Sequence, residues 1–515
     1  MTYFQRTRPF FVSSLLAACG PGGPADTEGA SSEGPPTSTT TGPATEGPTT
    51  EGPTTTSTTT TSTTTSEETT SEETTIDEPP AIAACERLAG PADGAVDWYL
   101  RCGGLQHEYL GGVATDAAGN IYLAAETRVL AGSQSLQIGE FEVTPGELSD
   151  ILLIKLSSEG VPAWVRQFGG PGDQSVWGLV ACGEGFVIHG WAEPGTLDLG
   201  GGAVEQAFLA SFDGDGDLRW SRSVPALGGD AHVTFAAMKC DEAGTLALTG
   251  EFRSGVDFGG GPVAAPELYD GFVVTYDAAG EFQWVRQFGS TGDASARGRA
   301  LAFTPAGEIV VAGAFQGSVD LGGGTLSTDF QDDMLIAKLS ATGEHVWSQQ
   351  VGSWGLQYGM AIAADSAGRV ALGGMFLEEV EIGDDKYTNV FPDQIPDAHG
   401  TLYDAVLAQI DPAGAVLGSQ HVGTMNDDSI DDLEFDAADT LLMTGFTADA
   451  FTLRAIVGQE TSWEWTTDQF AHALTTLSGE DAIVVTMSPT DAVDLGAGPL
   501  AGRGESDLVV ARIRR

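Results

Sequence analysis

One pattern recurs along most of this chain, and a repeating chain needs a fold in which each unit buries its apolar surface against the next. The pattern opens with a short apolar strand, a glycine turn and a second strand, as in Gly112-Val113-Ala114-Thr115-Asp116-Ala117-Ala118-Gly119-Asn120-Ile121-Tyr122-Leu123. Equivalents begin near Val176, Thr234, Ala300, Met360, Ile430 and Ala473, which makes seven units. A third strand follows, usually announced by an aspartate: Asp150, Asp270, Asp333, Asp404 and Asp507 each open an apolar run. Gln206 stands near that place in the second unit, and the sixth unit degenerates around Phe451 to Val457. A tight turn then leads to a fourth strand carrying Trp164, Trp220, Trp284 or Trp347, with Leu417 and Trp465 as weaker equivalents.

Those four tryptophans stand 56, 64 and 63 residues apart. That is too long for a hairpin and fits a four-stranded blade with an inserted loop. The ends of the chain decide between an open array and a closed ring. The seventh unit stops at Arg515 directly after its third strand, while a spare tryptophan-bearing strand, Val96-Asp97-Trp98-Tyr99-Leu100, precedes the first inner strand. A strand missing at one end and surplus at the other is what ring closure requires, and closure removes the exposed edges that invite aggregation. The expected fold is therefore all-β: a seven-bladed β-propeller of four-stranded blades over residues 81–515, closed by an N-terminal strand. The 70 glycines and the low share of charged residues, 18%, agree with a turn-rich β protein.

Two segments precede it. Residues 1–18 carry Arg6 and Arg8 followed by a mostly apolar run, the layout of an export signal and too short for a permanent span. The run ends in Leu16-Ala17-Ala18-Cys19, which resembles a bacterial lipobox, in which the cysteine is acylated and becomes the first residue of the mature chain. The resemblance implies Cys19 as a lipidation site, a membrane anchor of palmitate type and no transmembrane helix. Residues 19–80 are rich in Thr, Ser, Pro, Gly and Glu, with no Lys or Arg. Such a segment cannot repay the entropy of ordering and is expected to be a disordered linker, about 40–50 Å end to end.

The repeat itself resembles a known family. The pattern Asp-x-x-Gly-Asn-apolar, then Asp-apolar-apolar-apolar-x-Lys, then Gly-x-x-x-Trp-x-x-x-Phe-Gly looks like the SBBP-type β-propeller repeat of bacterial surface and secreted proteins. The first unit carries it most fully, in Asp116, Gly119, Asn120, Asp150, Lys155, Gly160, Trp164, Phe168 and Gly169. The resemblance implies the propeller fold and an extracytoplasmic address, and it brings no catalytic set with it. The hairpin Gly280-Glu281-Phe282-Gln283-Trp284 also resembles those of quinoprotein-type propeller lipoproteins.

Four cysteines remain after Cys19: Cys85, Cys102, Cys182 and Cys240, an even number that suits an oxidising compartment. Cys85 and Cys102 flank the closing strand, and Cys182 and Cys240 occupy matching positions in neighbouring units, so the pairings Cys85–Cys102 and Cys182–Cys240 are favoured. Asp213, Asp215 and Asp217 alternate with glycine as in the start of a calcium loop, but the twelfth position, where such a loop places glutamate, is Val224. The same stretch aligns with ordinary hairpin turns such as Asp277-Ala278-Ala279-Gly280, so a calcium site and a plain turn are both open. Asp198, Asp257, Asp320 and Asp494, with Glu381 in the fifth unit, recur in Leu-Asp-Leu-Gly-Gly-Gly-like runs. They read either as a ring of cation-binding carboxylates or, as repetition favours, as turns. The largest departure from the repeat lies between Phe376 and Asp404, where Tyr387, Phe391, Pro392, His399 and Tyr403 occupy an insertion after the second strand. Aromatic residues on a long loop make a candidate recognition surface.

No HExxH, GxSxG or Walker motif is present, the seven histidines are dispersed, and no cysteine spacing fits zinc. With 22 Lys+Arg against 73 Asp+Glu, a net charge of −51 argues against nucleic acid and against direct binding to anionic lipid. The expectation is a monomeric, non-enzymatic lipoprotein without a cofactor. It would sit at the cell envelope, at the outer membrane or surface of a Gram-negative bacterium, and hold a protein or glycan partner. An extracytoplasmic hydrolase or lyase, or an envelope assembly scaffold, is the alternative.

Overall fold

The computed structural model describes residues 83–515 except 91–94, 104–106, 129–134, 145, 147, 230, 290–294, 329–330, 390–401, 448–449, 459, 468–470, 477–481, 488–494 and 496–507. The signal segment, Cys19 and the linker lie outside the described residues, as do Phe391, His399 and Asp494. Among the described residues every regular element is a β-strand.

Six antiparallel sheets of four strands follow one another along the chain, each pairing its strands in sequence order. Their first strands are His107–Thr115, Gln174–Cys182, His232–Cys240, Ser295–Phe303, Gln357–Ala364 and Ser429–Phe435. The seventh sheet takes Ala471–Thr476, Ala482–Met487 and Leu508–Arg514 from the C-terminal end and Val96–Gly103 from the N-terminal end. Each first strand touches the first strand of the next blade, and that of the seventh touches that of the first. The ring is closed, and the seven-bladed propeller expected from the repeat is what the chain forms.

Seven hydrophobic clusters lie one at each seam between consecutive blades. Ile121, Leu123 and Ala125 face the seventh blade while Tyr122 and Ala124 face the second, so a single strand supplies both seams with alternate residues. This is why the second and third strands read as continuous apolar runs: both faces of the sheet are buried.

The tryptophans of the repeat latch neighbouring blades. The indole N–H of Trp164 donates to Gly214 O of the next blade at 3.2 Å, Trp220 to Ala278 O at 3.2 Å, Trp284 to Ala341 O at 3.0 Å and Trp347 to Pro412 O at 3.2 Å. Trp98 does the same across the closure, donating to Ser158 O at 3.3 Å. Each ring lies over the turn glycine of that next blade: a Cβ on Gly160 or Gly280 would come within 2.7 Å of Trp98 or Trp220. These glycines also have φ of 73° and 76°, so the turn needs glycine twice over. The lysine of the repeat joins in, since Lys155 Nζ donates to Gly214 O at 2.8 Å and Lys338 Nζ to Pro412 O at 2.7 Å.

Closure extends further than the sequence pattern predicts. A strand at Ala83–Ala89 adds to the outer edge of Val96–Gly103, and Leu136–Ile138 of the first blade pairs parallel with it. The seventh sheet thereby has seven strands and reaches across to its neighbour. Cys85 and Cys102 face each other in this pairing and are joined by a disulfide; a second disulfide joins Cys182 to Cys240 between blades two and three.

Candidate functional site

In an up-and-down blade the first-to-second and third-to-fourth turns share one face of the ring, and the second-to-third and fourth-to-first connections share the other. The first face is built from one device used repeatedly. Asp213 Oδ1 accepts the amides of Asp215 at 2.9 Å and Asp217 at 3.0 Å, and Asp277, Asp411, Asp241 and Asp436 hold their turns in the same way. These bonds, that from Asp217 first, hold the Asp213 carboxyl below its ordinary range. Asp213, Asp215 and Asp217 thus take the form of the plain hairpin turn that the sequence left open beside a calcium site. Their carboxylates form no group able to hold a metal ion, and no such group of His, Cys, Asp or Glu occurs among the described residues.

The glycine-run aspartates close turns too. Asp198 Oδ1 accepts the amides of Gly200 and Gly202 at 2.8 and 3.0 Å, and Asp257 and Asp320 do likewise. Glu381 is instead held by Lys386 at 3.0 Å. These excursions fold back along the outer flank of their own blades: the Gly259–Gly261 turn packs on Phe282, and the Gly322–Gly324 turn on His345.

The described opening of the fifth-blade insertion behaves the same way. Its hairpin, Glu379–Ile382 with Asp385–Thr388, brings Tyr387 to the flank, where the ring stacks on His421 at 5.5 Å and the hydroxyl meets Ser419 Oγ at 2.9 Å. Tyr387 is thus a packing residue of the outer strand, and Tyr403, which the sequence reading grouped with it, has different partners. Tyr403 lies edge-on to Tyr358, with centroids 6.4 Å apart, and its amide donates to Asp427 Oδ1 at 2.8 Å.

Tyr403 marks the site that the structure does assemble, at the mouth of the channel on the connection face. From blade three come Glu251, Arg253 and Tyr269, from blade four Arg297, Arg299 and Asp332, and from blade five Tyr358 and Tyr403. Arg297 Nε pairs with Glu251 Oε2 at 2.6 Å. The guanidinium groups of Arg297 and Arg253 lie over the Tyr269 ring at 5.7 and 6.0 Å from its centroid. His232 meets the same ring edge-on at 6.3 Å. Tyr358 donates to Asp332 Oδ2 at 3.1 Å, and burial together with that carboxylate raises its hydroxyl pKa well above the ordinary tyrosine range.

A backbone irregularity recurs at the middle of each inner strand. In each of the seven, one residue is skipped by the pairing with the second strand. The skipped residues are Gly111, Trp177, Ala236, Arg299, Met360, Asp431 and His472. A bulge re-aims the side chain it carries, so the fold repeats one backbone position seven times and the sequence fills it with seven different residues. At Arg299 the neighbouring Gly298 makes the geometry possible, because a Cβ there would fall 1.8 Å from Thr249 Oγ1 of blade three.

On this connection face two large apolar side chains stand out in water. Trp354, on the connection entering blade five, is 67% exposed, and Met425, on the connection entering blade six, is 70% exposed. The Trp354 backbone is nevertheless fixed, its carbonyl accepting Glu379 N at 3.0 Å and Gln357 Nε2 at 3.2 Å. The sequence reading passed over Trp354, Arg297 and Arg299. The available signal was Arg297-Gly298-Arg299, two cations in an inner strand where the other units are largely apolar, in a chain with only 22 basic residues.

No protein-family model matches this chain, and no curated protein does. Solved propellers resemble it at low identity. The Myceliophteria thermophila Cps50 (Swd1) β-propeller domain is 10% identical, with 78% of this chain and 96% of that chain covered and a TM-score of 0.38. YCF48 bound to D1 peptide is 11% identical over 85% and 99%, with a TM-score of 0.39, and Sqt1 from Chaetomium thermophilum is 12% identical over 83% and 100%, with a TM-score of 0.40.

Proposed function

We propose that this protein is a non-enzymatic binding or scaffolding module that holds a partner at the channel mouth of its connection face. The observation that carries the reading is the rim of that mouth, where a backbone-fixed Trp354 and Met425 stay exposed although apolar side chains of this size are normally covered. Fixed aromatic anchors beside polar groups are the usual anatomy of a recognition surface, and no nucleophile–base pair accompanies them among the described residues.

The reading includes an address. A lipobox-like Leu16-Ala17-Ala18-Cys19 would acylate Cys19 and anchor the chain to the envelope of a Gram-negative bacterium, with residues 19–80 as a tether and an SBBP-type propeller displayed outside the cytoplasm. Two disulfides suit that compartment. No helix among the described residues is long and apolar enough to cross a membrane.

The test is a photo-crosslinking amino acid placed at Trp354 and, on the opposite face, at Val161, which is also exposed. In the native envelope, adducts are expected at position 354 and none at 161. Adducts at neither position, or equally at both, would overturn the reading. Fractionation of the Cys19→Ala variant checks the address: it should leave the membrane, and retention would remove the lipid anchor from the account.

A further inference from the structure

Arg299 is the most unusual side chain of the mouth. It occupies the bulge of the fourth inner strand, and its Nε and Nη2 atoms are buried with no hydrogen-bond partner among the described residues. A buried donor left unpaired costs about 1–3 kcal/mol, and more when charged, so a guanidinium in this state calls for an acceptor that none of the described residues supplies. Burial accordingly lowers its pKa from the usual arginine range, against the opposing pull of Glu251. The acidic groups nearest in effect are already engaged: Glu251 by Arg297 at 2.6 Å, and Asp332 by the Tyr358 hydroxyl at 3.1 Å.

Resting on the binding reading above, we infer that Arg299 is the anchor of a carboxylate subsite and that the partner presents an acidic peptide segment to it. The planar fork of a guanidinium matches a carboxylate through two parallel hydrogen bonds. Arg297 and Arg253 add positive charge beside it while their own packing on Tyr269 keeps them in place. The chemistry favours a peptide over an acidic glycan. Among the described tyrosines of the mouth, the Tyr269 ring is taken by the two arginines, Tyr358 is buried and Tyr403 is engaged edge-on with Tyr358, which leaves little tyrosine face on which a sugar ring would stack. The rim instead offers Trp354 and the adaptable Met425, which suit apolar peptide side chains flanking the acidic one.

The chain is strongly acidic, with 73 Asp+Glu, so an acidic ligand is repelled everywhere except at a local cationic site. That repulsion makes the subsite selective: a carboxylate binds where Arg299 lies or does not bind.

The experiment uses the full chain on an array of random dodecapeptides, with each acidic hit resynthesised with Gln for Glu or Asn for Asp, and oligogalacturonate as the glycan probe. Bound peptides are expected to be enriched in acidic residues. The amide counterparts should bind about tenfold more weakly or worse, and Arg299→Gln should lose the acidic preference by the same factor. Arg299→Lys, which keeps the charge without the fork, should fall between them, and circular dichroism establishes that each variant is folded. Peptide binding that survives Arg299→Gln but is lost in Trp354→Ala overturns the carboxylate subsite and leaves the binding module standing. Binding of oligogalacturonate but no peptide overturns the peptide assignment, and binding of neither probe overturns both inferences.

Discussion

The two faces of this propeller are built on opposite logic. On the turn face one solution is copied from blade to blade: an aspartate or serine closes the turn, a glycine with positive φ completes it, and a tryptophan from the preceding blade covers it. At the channel mouth of the connection face the backbone is copied just as faithfully, with one bulge per inner strand, but the side chains are not. What must be done in every blade is done the same way and belongs to folding. What differs at a repeated backbone position is free to serve something outside the chain.

Removing a latch should have the largest effect. Trp164 is buried between blades one and two, and its indole N–H is bonded to Gly214 O. Trp164→Ala should cost about 3–5 kcal/mol, read as a shift in the denaturant midpoint, because it leaves a cavity and leaves Lys155 as the remaining side-chain donor to the Gly214 carbonyl. A loss under about 1 kcal/mol would remove the seam from the list of what holds the ring.

A seam also carries a pH dependence. His189 lies fully inside the contact between blades two and three, edge-on to Phe235 at 5.7 Å, and burial lowers its pKa to about 3 from the ordinary 6.5. The unfolded chain therefore takes up a proton below pH 6.5 that the folded chain refuses until about pH 3. Stability due to this group is complete above pH 6.5 and falls by about 1.4 kcal/mol per pH unit below it. Between pH 6.5 and 5, His189→Leu should lose about 2 kcal/mol less than the parent protein does. Parallel pH profiles for the two would contradict the burial of this ring.

The smallest effect belongs to the exposed turns. Asp213→Asn should change stability by no more than about 1 kcal/mol, since asparagine oxygen still accepts the amides of Asp215 and Asp217. Added calcium should leave the melting temperature of both proteins unchanged. A calcium-dependent rise in the parent protein that Asp213→Asn abolishes would restore the metal reading.

The same contrast explains what the sequence made legible. Repetition exposed the blades, the turns and the tryptophan strands, and the unmatched strand at Val96–Leu100 exposed the closure, because each follows from a pattern that must recur. The edge strand Ala83–Ala89 and its parallel contact with Leu136–Ile138 occur once and have no pattern to betray them. The aromatic residues of the fifth insertion were singled out because they break the repeat, yet Tyr387 uses its ring to pack on His421. Composition shows that a loop is different and leaves open which way it folds. Arg299 escaped notice for the converse reason: a bulge is a feature of strand pairing, and it re-aims an in-line residue without changing the local sequence period.

If the mouth is kept for a ligand at a cost to the fold, that cost is read in the melting of Arg299→Met in the absence of any ligand. Replacing an unpaired buried guanidinium by an apolar chain of similar reach should stabilise the protein by about 0.5–2 kcal/mol. A melting temperature higher than that of the parent protein is the predicted result. A drop comparable to that of Trp164→Ala would show that Arg299 supports the ring as the tryptophans do, and would contradict the division of labour between the two faces.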